Sequence, residues 1–187
     1  LAARRDDCPP GFLLAMTFWL AVGLSILIKG PVVPLILLAT VLTLQIADNR
    51  ALGTGWLWGL RPIEGIAIAI GIAAPWFFAI SQATDGAFVG EAVKGDLLPK
   101  LLGAQESHGA PPGMYLLLAP VTLWPASLLL GPALVWAWQQ RERPEIRFCL
   151  AWIIPTWVIF ELIPTKLPHY VLPTYPALAL LIAAAAA

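Results

Sequence analysis

FLLAMTFWLAVGLSILIKGPVVPLILLATVLTLQIA, residues 12–47, holds two uncharged apolar runs with a lysine and a glycine between them. A membrane-spanning helix needs about 20 mostly apolar residues, with roughly 17 as the lower limit, and each run reaches that limit. Neither run alternates apolar with polar residues, which argues against strands and against a β-barrel. Inside lipid every backbone N–H and C=O must be satisfied within its own segment, which leaves helices. The stretch therefore reads as a helical hairpin. Its turn is too tight for Lys29 to leave the face on which the chain reverses, and Pro31 suits the start of the returning helix.

The same pattern recurs along the chain. Uncharged runs cover residues 65–84 and 114–140, residues 148–164 hold one acid (Glu161), and residues 171–187 form a last apolar run. Of the 187 residues, 59% are hydrophobic and 12% charged. Soluble domains run nearer 45–50% and about 25%, so the composition is that of an integral membrane protein. The expected fold is all-α: a polytopic bundle of six membrane helices, 12–28, 31–47, 65–84, 114–140, 148–164 and 171–187, with a long loop at 85–113. The chain lacks an initiator Met and stops inside an apolar run. It is therefore expected to be an internal fragment, 1–187, of a larger transmembrane domain. Zero net charge gives no basic footprint for nucleic acid. Two cysteines are too few for a disulfide framework.

If every run spans, successive connectors alternate between the two faces. Arg4, Arg5, Arg50, Arg61, Arg141, Arg143 and Arg147 then share one face, and Lys29, Lys94, Lys100 and Lys166 share the other. The positive-inside rule makes the arginine face cytoplasmic. Lysines on the outer face run against that bias and call for another explanation. Both histidines, His108 and His169, and all three tyrosines, Tyr115, Tyr170 and Tyr175, lie on or near the same outer face. Function is expected there.

Three constellations carry chemistry. Lys29, fixed in its tight turn, is either a snorkelling end-cap or an ammonium placed to meet a lipid phosphate. The loop of about thirty residues is longer than structureless connectors usually are. It holds Lys94, Lys100 and then QESHGAPPG. In that stretch Glu106 and His108 are an acid–base pair, two metal ligands, or simply polar residues at a helix entry. Two ligands do not make a zinc site, which takes three or four. The third constellation, PTKLPHYVLPTYP at 164–176, interrupts helix with prolines and presents Lys166, His169, Tyr170 and Tyr175 as one rigid outward group. An interfacial Lys/Tyr anchor is the plainer alternative. Glu161, inside an apolar run, is a functional candidate by default, or else it reaches water or pairs with Lys166.

Together, KGPV, PWF (Pro75–Phe77), ESHGAPPGMYL leading to WPAS, and KLPHYVLPTYPALAL stand in an order that resembles bacterial integral-membrane glycosyltransferases. The group is the one related to protein O-mannosyltransferases and to the lipid A aminoarabinose transferase. The resemblance covers about residues 29–179. It implies a GT-C fold in the bacterial inner membrane, with the site facing the periplasm or exterior. It implies an enzyme that takes a sugar from a polyprenyl-phosphate carrier and gives it to a lipid, glycan or protein acceptor. It further implies that Lys29 and Lys166 lie near the carrier phosphate, that the loop histidine lies near the cavity, and that Glu106 or His108 ligates a divalent metal, zinc or another. The family's catalytic carboxylate lies in a first outer loop that no segment here matches, so the fragment alone is expected to be inactive. A secondary transporter or flippase for lipid-linked substrates is the competing class. It would place ionisable groups near the midplane on broken helices, in repeated halves, and the sequence shows neither feature.

Overall fold

The computed structural model describes residues 10–47, 55–97 and 110–186. They form two compact units, divided between Gly90 and Glu91. Among the described residues there is no strand, and the all-α expectation holds.

Unit 1 is built on three helices: α1 (Phe12–Lys29), α2 (Val32–Ala47) and α3 (Pro62–Ala83). The turn after α1 closes at Gly30, whose φ of 59° lies in the region that favours glycine, and whose N–H donates to the Ile26 carbonyl at 2.9 Å. Pro31 follows, and its carbonyl accepts the first bond of α2, from Leu35 N–H at 2.9 Å. α1 and α3 run parallel, because Gly65 lies under Trp19 while Gly23, one turn on, faces Ala69 and Ile72. Without a hydrophobic drive between helices in lipid, small residues that let backbones approach are what bring helices together. A Cβ at Gly65 would fall on the Trp19 indole. The indole N–H itself is held by the Leu60 carbonyl at 2.7 Å, just before α3 begins.

This parallel packing separates the cations. The Arg61 guanidinium lies 5.2 Å over the Phe12 ring, at the start of α1. Lys29 ends α1, an 18-residue helix about 27 Å long. Among the described residues of this unit, Arg61 and Lys29 therefore stand at opposite ends.

Unit 2 begins with a wide helical turn, Glu91–Leu97, and continues with α4 (Met114–Thr122), α5 (Leu130–Gln139), α6 (Pro144–Leu162) and α7 (Tyr175–Ala186). Its core lies where α5, α6 and α7 meet, with Ala137, Cys149, Leu150, Ile153, Leu178 and Leu181 buried together. The turn between α5 and α6 is closed by arginines. Arg141 donates to the Trp138 carbonyl at 2.9 Å, and Arg147 donates to the Glu142 carboxylate at 2.8 Å. α6 carries the chain over 19 residues, about 28 Å, to Glu161 and Lys166. Unit 2 therefore repeats the separation seen in unit 1.

One expectation is corrected and another is not confirmed. Residues 114–140 are not one continuous helix: α4 and the following segment are bent by 118° around a break at Leu123–Pro125. There the Ser127 hydroxyl donates to the Pro120 carbonyl at 2.7 Å, satisfying a carbonyl the break leaves over. The count of six spans is also not confirmed. Phe12–Lys29, Pro62–Ala83 and Pro168–Ala186 are long and apolar enough to cross, and the bent pair makes at most a fourth. α2, at 16 residues, reaches about 24 Å against a hydrocarbon core of about 30 Å. α6 is long enough but carries Glu145, Arg147 and Glu161. The 85–113 loop is described only to residue 97 and from residue 110.

Candidate functional site

The polar group at the far end of α6 is assembled from two helix ends. An α-helix leaves its first four N–H and last four C=O groups without partners inside the helix, and in an apolar setting those groups must be met by something else. α4 starts at Gly113, a residue with φ of 100° and no side chain to act as a cap. Its free N–H groups are met instead by Glu161, from the last turn of α6. One carboxylate oxygen accepts from Gly113 N–H at 2.8 Å and the other from Tyr115 N–H at 3.1 Å. A carboxylate at a helix N-terminus is also favoured by the positive end of the helix dipole.

Lys166 is the mirror image of this arrangement. Its side chain is 3% exposed, and its ammonium donates to the main-chain carbonyls of Glu161 at 2.8 Å and Ile163 at 2.7 Å. These carbonyls belong to the end of α6, where the dipole is negative and a cation is stabilised. The sequence-based expectation of an outward-facing Lys166 is thus corrected: the ammonium turns inward because the end of α6 presents two acceptors. The alternative of a carboxylate pairing between Glu161 and Lys166 gives way to a bond from the ammonium to that residue's main chain. A lysine ammonium has three donors, so one is left over.

Around this pair, Tyr115 is buried, with its hydroxyl toward the main chain of Leu167 and making no hydrogen bond among the described residues. Tyr170 stacks obliquely on Phe160 at 5.6 Å, and the His169 ring stands edge-on to Tyr170 at 5.1 Å. His169 is exposed, as expected for the outward group. The Tyr175 hydroxyl donates to the Thr122 hydroxyl at 2.6 Å, tying the start of α7 to the end of α4.

The structure therefore brings Lys166, His169 and Tyr170 into one region of unit 2 with Glu161 and Tyr115, while Tyr175 is bonded at the other end of α4. Lys29, exposed at the end of α1, belongs to unit 1. Lys94 is exposed on the wide helical turn of unit 2. Lys100, Glu106 and His108 lie outside the described residues. Among the described residues no three His, Cys, Asp or Glu side chains gather as a metal site would require.

The role of the Gly113–Tyr115 main chain was missed in the sequence, although a signal for it was present. PPGMY opens an apolar helix with no Ser, Thr, Asp or Asn to cap it, so an acceptor had to come from another segment. Glu161 was the acid placed inside an apolar run.

The chain is similar to curated bacterial transferases. It is 28% identical to undecaprenyl phosphate-alpha-4-amino-4-deoxy-L-arabinose arabinosyl transferase 2 of Proteus mirabilis, over 97% of this chain and 32% of that protein. It is 33% identical to the corresponding transferase 1 of Pseudomonas fluorescens, over 87% of this chain and 29% of the relative. The Serratia proteamaculans transferase is 34% identical over 64% of this chain and 21% of its own length. The chain thus spans at most about a third of the length of these relatives. No family model and no solved structure matches it. Along nearly its whole length the chain is a homologue of the bacterial undecaprenyl phosphate-aminoarabinose arabinosyl transferases, the membrane glycosyltransferases that its motifs resemble.

Proposed function

We propose that this chain forms part of a membrane glycosyltransferase that takes a sugar from a polyprenyl-phosphate carrier and passes it to an acceptor at the extracytoplasmic face of the bacterial inner membrane. The observation that carries this reading is similarity over 97% of the chain to a transferase whose name specifies an undecaprenyl-phosphate-linked aminopentose. In such a reaction the acceptor displaces the carrier at the anomeric carbon. The C–O bond to the phosphate breaks, and polyprenyl phosphate leaves with the electron pair.

Charge developing on that phosphate is stabilised by preorganised cations and donors. Lys29 offers an exposed ammonium at the end of α1. Lys166 offers its third N–H, from an ammonium whose place is set by two carbonyls. His169, Tyr170 and Tyr175 shape the neighbouring wall, and Lys94 and Lys100 add positive charge along the loop. Glu106 and His108 would supply two ligands to a divalent metal, with the others drawn from elsewhere. The carboxylate that would take the acceptor's proton is assigned to no residue of this chain.

The transporter reading draws on one feature, the break between α4 and α5, because broken helices mark many transporter sites. The segment around that break, residues 120–130, has no ionisable side chain to hold a substrate. Reconstituted full-length protein separates the two. Release of free undecaprenyl phosphate from undecaprenyl phosphate-aminoarabinose is the expected result, and vesicle uptake of that donor without any release would refute the enzyme reading.

A further inference from the structure

Glu161 is the charge whose purpose the sequence leaves open, and its surroundings are specific. Each carboxylate oxygen takes one main-chain N–H, from residues 48 and 46 positions away in the sequence. Helix caps ordinarily come from the residue at the helix's own start. Here the cap comes from a different helix, so it joins two elements. Pro111 and Pro112, just ahead of Gly113, have no N–H to contribute. The main chain of the same Glu161 meets the Lys166 ammonium at 2.8 Å. One residue therefore holds the start of α4 with its side chain and the lysine with its backbone.

We propose that Glu161 is a positioning residue: it clamps the start of α4 to the last turn of α6 and thereby fixes the Lys166 ammonium. The functional half of this rests on the reading above, in which Lys166 serves a carrier phosphate. Among the described residues, the end of α6 supplies both the carboxylate that holds α4 and the carbonyls that hold the ammonium. Without the carboxylate, α4 loses the acceptor for two N–H groups in an apolar setting, where such bonds are strengthened by the low dielectric. The turn that supplies the Glu161 and Ile163 carbonyls then loses its tether, and the lysine loses its fixed place with it.

The test uses full-length protein in detergent with Glu161→Ala and Glu161→Gln. Two quantities are read: amide hydrogen exchange across residues 113–117, and the affinity for undecaprenyl phosphate. Exchange at 113–117 should accelerate about tenfold or more in Glu161→Ala, as expected for the loss of charge-assisted bonds, while residues 146–153 of the core stay protected. Glu161→Gln keeps one acceptor oxygen and should fall between. The dissociation constant for undecaprenyl phosphate should rise in the same order, by about tenfold for Ala. If Glu161→Ala does not fold, Glu161→Gln carries both measurements.

Unchanged exchange at 113–117 in a folded variant overturns the clamp. Faster exchange with unchanged affinity overturns the positioning role, because a merely structural contact would alter the first and leave the second alone. A wild-type protein that does not bind undecaprenyl phosphate overturns the carrier reading, and the exchange result still decides the clamp.

Discussion

Replacing Lys166 with methionine should destabilise the protein, whereas the same change at Lys29 should not. Lys166 is 3% exposed, and its ammonium donates to two carbonyls, at 2.8 and 2.7 Å. Hydrogen bonds to charged groups contribute about 1.5–3 kcal/mol each, and a buried acceptor left unmet costs about 1–3 kcal/mol. Methionine nearly conserves volume and fills the space of the aliphatic stem, which limits the packing loss. The carbonyls lie at a helix end, where water recovers part of the lost bonding. Weighing these terms, Lys166→Met should cost about 2–3 kcal/mol, a change of roughly 30- to 150-fold in the folding equilibrium. Lys29 is exposed at the end of α1, so Lys29→Met should stay within about 0.5 kcal/mol of wild type. The assay is reversible unfolding of the full-length protein in mixed detergent, monitored by the tryptophan signal. Equal stability of wild type and Lys166→Met would refute the capping argument and return Lys166 to an outward-facing role.

Gly65→Ala should destabilise unit 1 by about 1–3 kcal/mol, because the added Cβ meets the Trp19 indole; Gly71→Ala, with open space around it, should be neutral or stabilising by up to about 1 kcal/mol. Matched thermal unfolding of the pair checks this, and equal effects would refute the close packing of α1 on α3. Tyr175→Phe removes the 2.6 Å bond to Thr122 and should cost about 0.5–1.5 kcal/mol in the same unfolding assay. On the metal-ligand reading, His108→Ala in full-length protein should lower its divalent-metal content relative to wild type, measured by elemental analysis; an unchanged content would remove His108 from the ligand set.

Hydropathy located the elements well where a run is both long and straight. The expected helices at 12–28, 31–47 and 65–84 correspond to α1, α2 and α3 within about three residues at either end. It failed at 114–140, because an apolar sum says nothing about backbone direction. Proline could not have corrected that failure. Pro75 and Pro155 lie inside continuous helices, while Pro125 stands at the break. Lipid-embedded helices tolerate proline when neighbouring groups re-satisfy the backbone, so a proline in the sequence does not tell a kink from a break.

The candidate site was legible as a gathering of residue types and illegible as a set of bonds. Lys166, His169, Tyr170 and Tyr175 lie within ten residues of one another. The prolines between them suggested a non-helical turn, yet Pro168–Thr174 forms a 3-10 helix that runs on into α7. The inward turn of Lys166 depends on carbonyls that every residue possesses, which no side-chain pattern reports.

By itself, the sequence determined that the protein is helical and membrane-embedded, and that its arginines and its lysines fall in different connectors between the apolar runs. Those properties follow from composition and run length, because solvation in lipid acts on each segment separately. Only the tertiary structure decided how the end of α6 is satisfied. Glu161 serves the start of α4 and Lys166 serves α6 itself, where the sequence suggested an ion pair or a phosphate ligand. The physical reason is that unpaired main-chain groups at helix ends can hold buried charges, and which ends meet is a property of packing.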